Sequence, residues 1–447
     1  MCGFVAVKGV RKAAELAVIG AHALQNRART YAGAVSSDGQ YFYRHAGKGL
    51  AKDVLAGEAL SQLHGKDALA HLRYPTLGDK KDRDNTQPIQ GIYAGKPIAI
   101  GHNGNLTNMA ELHALLPSGF KMQTSPLDTE YILRLLEQWQ TGDIEADLKR
   151  VLSHLRGSYC LAILTPEHLI AVRDPQGSHP LCVGKLEEGH CVASENCAFP
   201  LMEARLVQDV AAGTMVFVGN DTLREVRFAE AKEKHCVFEL LYNSSPASRI
   251  FDVSVTRFRK NVGRELHRLF GLDSPLDVLI TPVPDSGYPY AMGYAEGKDA
   301  GELFPVEWRN HYVGRTFNAA SQALRDEEVS RKFIFESDEI VGKRIVVLDD
   351  SIVRGTTLPK IVDKLWWLGA KEVHVRIAAP PIKYLCRYGI YMDEDQTELV
   401  ATKLTEDELC RHFKATSLKY LPLATLKSLL LDPHKYCYAC MDGQYWD

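Results

Sequence analysis

The sequence has no apolar run approaching the roughly 18 residues that a membrane-crossing helix requires, so nothing in it reads as a membrane span. It also lacks charge of one sign. Lys plus Arg number 53 against 56 for Asp plus Glu, a formal balance of -3, so no bulk attraction to nucleic acid or to an anionic membrane is expected. There is no internal repeat and no low-complexity tract, which removes solenoid, collagen-like and disordered classes. The opening MCGFVAVKG lacks the pattern of a secretory signal, and a cytoplasmic address is the expectation. What remains is ordinary globular usage, 45% hydrophobic and 24% charged, in 447 residues, a length that points to two or three domains. Ten cysteines in such a chain are not expected to form a disulfide framework. They divide among core, catalytic and metal-ligating readings.

The chain changes character along its length. The first 225 or so residues carry short apolar runs broken by turns, such as FVAVKG, KPIAIGHNGN, YCLAILTPEHLIAVRDPQG and GTMVFVGNDTL. Helical patterns over 11–24, 108–116 and 127–140 interrupt them, the last with Ser125 as N-cap, Pro126 at the first helical position, and Asp128 and Glu130 in the first turn. Many strands with few helices predict layered sheets covered by helices. The charged stretch FAEAKEKH, 228–235, is the boundary, giving domains over 2–230 and 231–447. Beyond it strands and helices alternate. A helix over 255–270 precedes the strand DVLITPVPDSG, and RIVVLDDSIVRGTT reads as strand, loop and helix. A helix over 360–368, packed through Trp366 and Trp367, then leads to the strand KEVHVRI. That order predicts an α/β unit with a mostly parallel sheet and ligands at the carboxyl ends of its strands.

Cys2 follows the initiator Met. With Met1 removed, its thiol becomes a nucleophile whose own α-amine, with a pKa of about 7.7–8.0, serves as base; the bland alternative is a chance cysteine near a start codon. Three other segments bear on that choice. Arg73 in HLRYPT suits a carboxylate, Asp128 at a helix start suits an ammonium, and Asn103 with Gly104 in GHNGNLTN supplies a side-chain amide beside a closely approachable backbone N–H. A carboxylate, an ammonium and an amide together describe glutamine. Each fragment also has a plain structural reading, as surface ion pair, helix-end charge or hairpin turn. MCGF, HLRYPT, HNGNLTN, RDPQGSHPL and VASEN, in this order, resemble the class II glutamine amidotransferase domain, an N-terminal-nucleophile hydrolase. The resemblance implies a four-layer αββα sandwich. It also implies Cys2 as nucleophile, Asn103 and Gly104 as oxyanion hole, and Arg27, Arg73, Thr76 and Asp128 as substrate-binding residues. LQNRARTYAG departs from the family pattern at Asn26, Ala28, Arg29 and Thr30, and Ala28 adds a methyl near the nucleophile.

In the second half IVVLDDSIVRGTT ends an apolar strand in Asp349 and Asp350, then runs through Gly355 into a helix that Thr356 and Thr357 are placed to cap. Backbone N–H groups at such a helix start cradle phosphate, and the carboxylates suit ribose hydroxyls or a hydrated divalent cation. The string resembles the phosphoribosylpyrophosphate motif of type I phosphoribosyltransferases, with VPDSG as its pyrophosphate loop and YVGRTF as its flexible loop. The resemblance implies Mg2+ held by Ser286, Asp349 and Asp350. It further implies that Asp285, Arg315, Lys332, Arg354, Gly355, Thr356 and Thr357 hold the substrate. Arg309, His311, Ser330 and Ile334 depart from the usual residues. Both halves on one chain resemble the phosphoribosylpyrophosphate amidotransferase family. The implied reaction is ammonia transfer from glutamine to phosphoribosylpyrophosphate, giving 5-phosphoribosylamine, glutamate and pyrophosphate. Purine-nucleotide feedback inhibitors and a homotetramer or homodimer are implied as well. The alternatives are a paralogue with a different acceptor and a regulator that senses phosphoribosylpyrophosphate after losing catalysis.

Cys437 and Cys440 form a C-x-x-C, a two-ligand corner for a metal or a redox pair. By resemblance to an iron–sulfur-containing branch of the family, Cys236 and Cys386 complete a [4Fe–4S] site, with zinc on the same thiolates as the rival. Cys160, Cys182 and Cys191 lie in apolar runs and are expected in the core, while Cys197 and Cys410 have no partner pattern.

Overall fold

A computed structural model describes residues 2–74, 86–122, 127–310, 333–390 and 399–446. In the first half two antiparallel sheets lie face to face. One has the order Arg205–Asp209, Cys182–Lys185, His190–Ala193, Gly3–Lys8, Asp67–Arg73, Tyr31–Ser37, Phe42–Lys48. The other runs Leu223–Arg227, Thr214–Val218, Leu169–Arg173, Gly157–Leu164, Lys96–Leu106, Ile89–Tyr93. Strand alternation decides which layer each side chain joins. Phe4 and Ala6 face the second sheet and pack with Leu69, Ala99, Cys160 and Ala162, whereas Val5 and Val7 face helix Ala13–Ala23. Helices Asp128–Trp139 and Ile144–Leu152 cover the outer face of the second sheet. The four layers are those of the αββα sandwich.

The second half is built on a parallel sheet in the order Glu302–Leu303, Val278–Pro282, Arg344–Asp349, Glu372–Ile377, Ser417–Tyr420. Helices Val255–Phe270 and Tyr288–Ala295 cover one face and Leu358–Trp367 the other. The first two approach closely because Gly263 faces Tyr290 O, where a Cβ would lie only 2.0 Å away. Between Arg227 and His235 no regular element forms. His235–Cys236 then pairs in parallel with Tyr436–Cys437, bringing the last described segment back to the connector. Among the described residues no helix is long and apolar enough to cross a membrane.

Three expectations of local structure change. The third helix begins at Asp128 with Leu127 in the N-cap position, and Ser125 and Pro126 lie outside the described residues. Thr357 occupies the N-cap of Leu358–Trp367 in a helical conformation and makes no side-chain cap bond, because capping requires extended backbone there. Trp366 and Trp367 do not both pack. Neighbours on a helix point about 100° apart, so Trp366 joins the core while Trp367 is 74% exposed with Lys364 over its ring. Cys160, Cys182 and Cys191 are buried in the core.

Candidate active sites

Cys2 is buried at the entry to the central strand Gly3–Lys8, between the two sheets. Its backbone N–H donates to Asn103 Oδ1 at 3.1 Å, and its Sγ lies 3.9 Å from Tyr74 O. The antiparallel register Gly3↔Leu72 brings Arg73 opposite Cys2. Asn103 and Gly104 belong to strand Lys96–Leu106 of the facing sheet. The Asn103 Nδ2 is fully buried and has no hydrogen-bond partner among the described residues. A buried unpaired donor costs about 1–3 kcal/mol, which a ligand oxygen at this position would recover. Gly104 has φ +152°, and a Cβ there would sit 2.2 Å from Ser158 O, so the close backbone approach requires glycine. Asp128 accepts from Leu106 N at 3.1 Å and faces His102 Nδ1 at 3.4 Å. Burial alone would raise its pKa, but His102, Arg73 and the Leu106 N–H outweigh that and hold it at about 2. The fold thus gathers Cys2, Arg73, Asn103, Gly104 and Asp128 around one point, while Thr76 lies outside the described residues.

Arg27 requires a correction. Expected to bind substrate, its guanidinium is fully buried and already engaged. Its Nε donates to Cys2 O at 2.7 Å, its NH1 to Glu195 at 2.7 Å, and its NH2 to Glu239 at 2.7 Å. It holds the Cys2 backbone and has no fork left for a ligand. Glu239, on the helical turn Glu239–Asn243 of the second half, also faces His179 Nδ1 at 2.9 Å and accepts from Ser244 Oγ at 2.7 Å. Burial opposes its charge, but Arg27 and His179 outweigh that and keep the carboxyl far below the usual range. Glu195 in turn accepts from Ser245 N at 2.8 Å and Ser248 Oγ at 2.5 Å. Sequence reasoning missed Glu195, Glu239 and His179. The available signal was an acid inside the apolar run VFELLY, since a buried carboxylate needs a cation.

The second site lies at the carboxyl end of the parallel sheet. Ser286 and Ser351 each donate to Asp350 at 2.5 Å, and Asp350 N donates to Asp349 Oδ1 at 2.9 Å. Burial, reinforced for Asp349 by its neighbour, raises both carboxyls. Two adjacent buried acids with serine hydroxyls beside them are a donor set suited to a hard cation. Asp285 pairs with Arg309. Gly355 adopts φ +68° in the turn before helix Leu358–Trp367, with Arg354, Thr356 and Thr357 alongside it on the wall of a cavity of about 600 Å3. Asp285, Ser286, Asp349 and Asp350 line the same cavity, and so do Ala28, Arg29 and Tyr74 from the first half. Arg315 and Lys332 lie outside the described residues.

The four cysteines of the proposed cluster come from three segments that meet. Cys236 pairs in register with Cys437, the Lys383 and Tyr384 N–H groups donate to Cys440 O, and Cys386 Sγ accepts from Tyr388 N at 3.3 Å. Burial first, and then mutual proximity, raises the thiols of Cys236 and Cys440. Converging thiols with backbone N–H groups on sulfur suit a thiolate-ligated centre, although among the described residues no group of three His, Cys, Asp or Glu is arranged to hold a metal ion.

A buried cysteine with an unpaired amide donor beside it, on an αββα sandwich, fits the glutamine amidotransferase class, and residues 71–200 match the family described as glutamine amidotransferase domain. Over 99% of its length the chain is 38% identical to chloroplastic amidophosphoribosyltransferase of Glycine max, covering 78% of that protein. It is 36% identical to amidophosphoribosyltransferase of Archaeoglobus fulgidus, covering 100% of this chain and 98% of the relative. A solved structure of glutamine phosphoribosylpyrophosphate amidotransferase from B. subtilis, complexed with ADP and GMP, matches with TM-score 0.91 at 34% identity, over 99% of this chain and 97% of that one. The chain belongs to the amidophosphoribosyltransferase family.

Proposed function

We propose that this chain transfers ammonia from glutamine to phosphoribosylpyrophosphate, forming 5-phosphoribosylamine, glutamate and pyrophosphate, the opening step of purine biosynthesis. The glutaminase occupies 2–230 and the phosphoribosyltransferase 231–447. The observation that carries the reading is the Asn103 Nδ2 beside Cys2, which has no hydrogen-bond partner among the described residues.

The α-amine freed by removal of Met1 takes the Cys2 thiol proton as the sulfur attacks the glutamine amide carbon, and later delivers that proton to the departing nitrogen. The oxyanion that develops is received by Asn103 Nδ2–H and the Gly104 N–H, and its collapse leaves a thioester and releases ammonia. Arg73 takes the substrate α-carboxylate and the ionised Asp128 its ammonium, fixing the amide over the thiol. Water then cleaves the thioester to glutamate. The cavity walled by Tyr74, Ala28 and Arg29 on one side and by Asp349 and Asp350 on the other gives ammonia a short path to the second site. There the nitrogen attacks C1 of the ribose as the C1–O bond to diphosphate breaks. The turn over 354–357 orients the 5-phosphate, and Asp285 with Arg309 lies beside the leaving group.

Ser286, Asp349 and Asp350 would hold Mg2+, which when bound supplies neutralising charge for the diphosphate. Cys236, Cys386, Cys437 and Cys440 would hold a [4Fe–4S] cluster, or zinc as the rival, tying the connector to the last segment. Purine nucleotides are the proposed feedback inhibitors, by likeness to the B. subtilis protein solved with ADP and GMP. A homo-oligomer in the cytoplasm completes the proposal. The test is glutamate release with and without phosphoribosylpyrophosphate from the wild type, where no release would sink the glutaminase reading. Iron and sulfide analysis after anaerobic purification tests the cluster, and a colourless protein with one zinc refutes it.

A further inference from the structure

The loop over 385–389 touches two regions that otherwise have little to do with each other. Toward the first half, Tyr388 O accepts from Ser158 Oγ at 2.5 Å and from His179 Nε2 at 2.9 Å. Arg387 O accepts from Asn105 Nδ2 at 2.8 Å. Gly389, at φ +110°, lies so near the oxyanion strand that a Cβ on it would come within 3.1 Å of the Gly104 carbonyl carbon. Apart from the bond to His179, these contacts fall on Gly104 and Asn105 themselves, or on Ser158, whose strand Gly157–Leu164 pairs with theirs.

On its other side the loop is clamped by the segment over 444–446. The Trp446 ring stacks on Tyr388, with 15° between the planes, and Trp446 N donates to Tyr388 Oη at 2.9 Å. Tyr445 Oη donates to Leu385 O at 2.6 Å, and the Arg387 guanidinium lies 3.9 Å from the centre of the Tyr445 ring. Of the loop residues, Tyr388 is 3% exposed, so the clamp holds a ring that is already buried.

We propose that Tyr445 and Trp446 are positioning residues for the glutamine reaction. They fix the loop from behind, and the loop fixes the strand that carries Asn103 and Gly104. The proposal rests on the reading of Cys2 as a glutaminase nucleophile. Oxyanion donors must sit within about 0.5 Å of their working position, and losing one outright costs about 10²–10³ in kcat. A donor that is displaced but present loses less, on the order of tenfold. Arg73 and Asp128 stand on other elements, and the loop touches the strand at Gly104 and Asn105 rather than at His102 and Leu106, which hold Asp128, so the effect on glutamine binding is the smaller one.

The test compares full-length wild type, Trp446→Ala and Trp446→Phe at equal iron or zinc content. Product formation is measured with glutamine and, separately, with ammonium chloride. Trp446→Ala lowers the glutamine-dependent kcat about tenfold, leaving the glutamine KM and the ammonia-dependent rate within about twofold, and Trp446→Phe restores most of the loss. An equal fall in both activities, a rise in KM alone, or no change overturns the proposal. Should Trp446→Ala not fold, Asn105→Ala, which removes the bond to Arg387 O from the opposite side, must give the same split. A wild type that uses ammonia but releases no glutamate from glutamine defeats the Cys2 reading instead, before any variant is compared.

Discussion

Around Cys2 the charges are already matched, whereas at Asp349 and Asp350 two acids crowd together. Arg27 is closed off by Glu195, Glu239 and the Cys2 carbonyl, and Asp128 is held ionised by His102 and Arg73. Asp349 and Asp350 lie side by side with their carboxyls raised, and among the described residues Ser286 and Ser351 donate side-chain hydroxyls to Asp350. The difference matches what the proposed function asks of each site. A thiol attacking an amide needs donors fixed before charge develops, which a pair of packed sheets provides. A site receiving a highly anionic substrate with a cation needs negative groups that become comfortable only on binding, which loops at strand ends provide.

The largest expected effect separates the two centres. Cys2→Ala abolishes glutamate release, by more than about a thousandfold, yet retains pyrophosphate release driven by ammonia; loss of both activities would break the comparison. Asp350→Asn acts in the opposite direction. It lowers ammonia-dependent pyrophosphate release about a hundredfold and weakens the response to added Mg2+, with glutamate release in the absence of phosphoribosylpyrophosphate unchanged. Glu239→Gln strikes the frame between the sites. Removing one partner of a buried pair costs about 3 kcal/mol, read as a lower denaturation midpoint, and the glutamine-dependent rate falls more than the ammonia-dependent one.

Acid should expose the same asymmetry. Asp128 and Glu239 titrate in the fold below their unfolded values of about 3.8 and 4.5, so their stabilisation is complete above about pH 5 and is lost as pH falls to 2 and below. Thermal scans should show the midpoint dropping over that interval, and Asp128→Asn should flatten the drop. The smallest effects come from helix caps. Asp143 accepts from the N–H groups of Glu145 and Ala146, and Thr405 forms a reciprocal capping box with Glu408. Replacing either with Ala costs about 1 kcal/mol and leaves both activities alone, since neither helix start touches a reacting group.

Much of this was legible in the sequence because the decisive residues fall in short strings. HNGN sits on one strand, and DD ends another, so local order carries the geometry. The role of Arg27 was not legible. Its partners are 168 and 212 residues away, and no spacing rule links positions that meet only after both halves fold. Trp367 was misjudged for a different reason: an apolar pair on a helix reads as core, although only one of two neighbours can face the sheet. Thr357 has the residue type of a cap but a helical backbone that prevents it from acting as one.

The bond between Arg27 and Glu239 also limits how the chain can be divided. A cut in the exposed connector looks harmless, since no regular element crosses it. Yet a fragment ending there would carry a guanidinium sealed beneath Cys2 with half of its counter-charge gone, and the complementary fragment would bare a carboxylate made for that cation. Neither piece is a finished protein surface. A shuffled or truncated descendant would therefore have to replace Arg27 and Glu239 together.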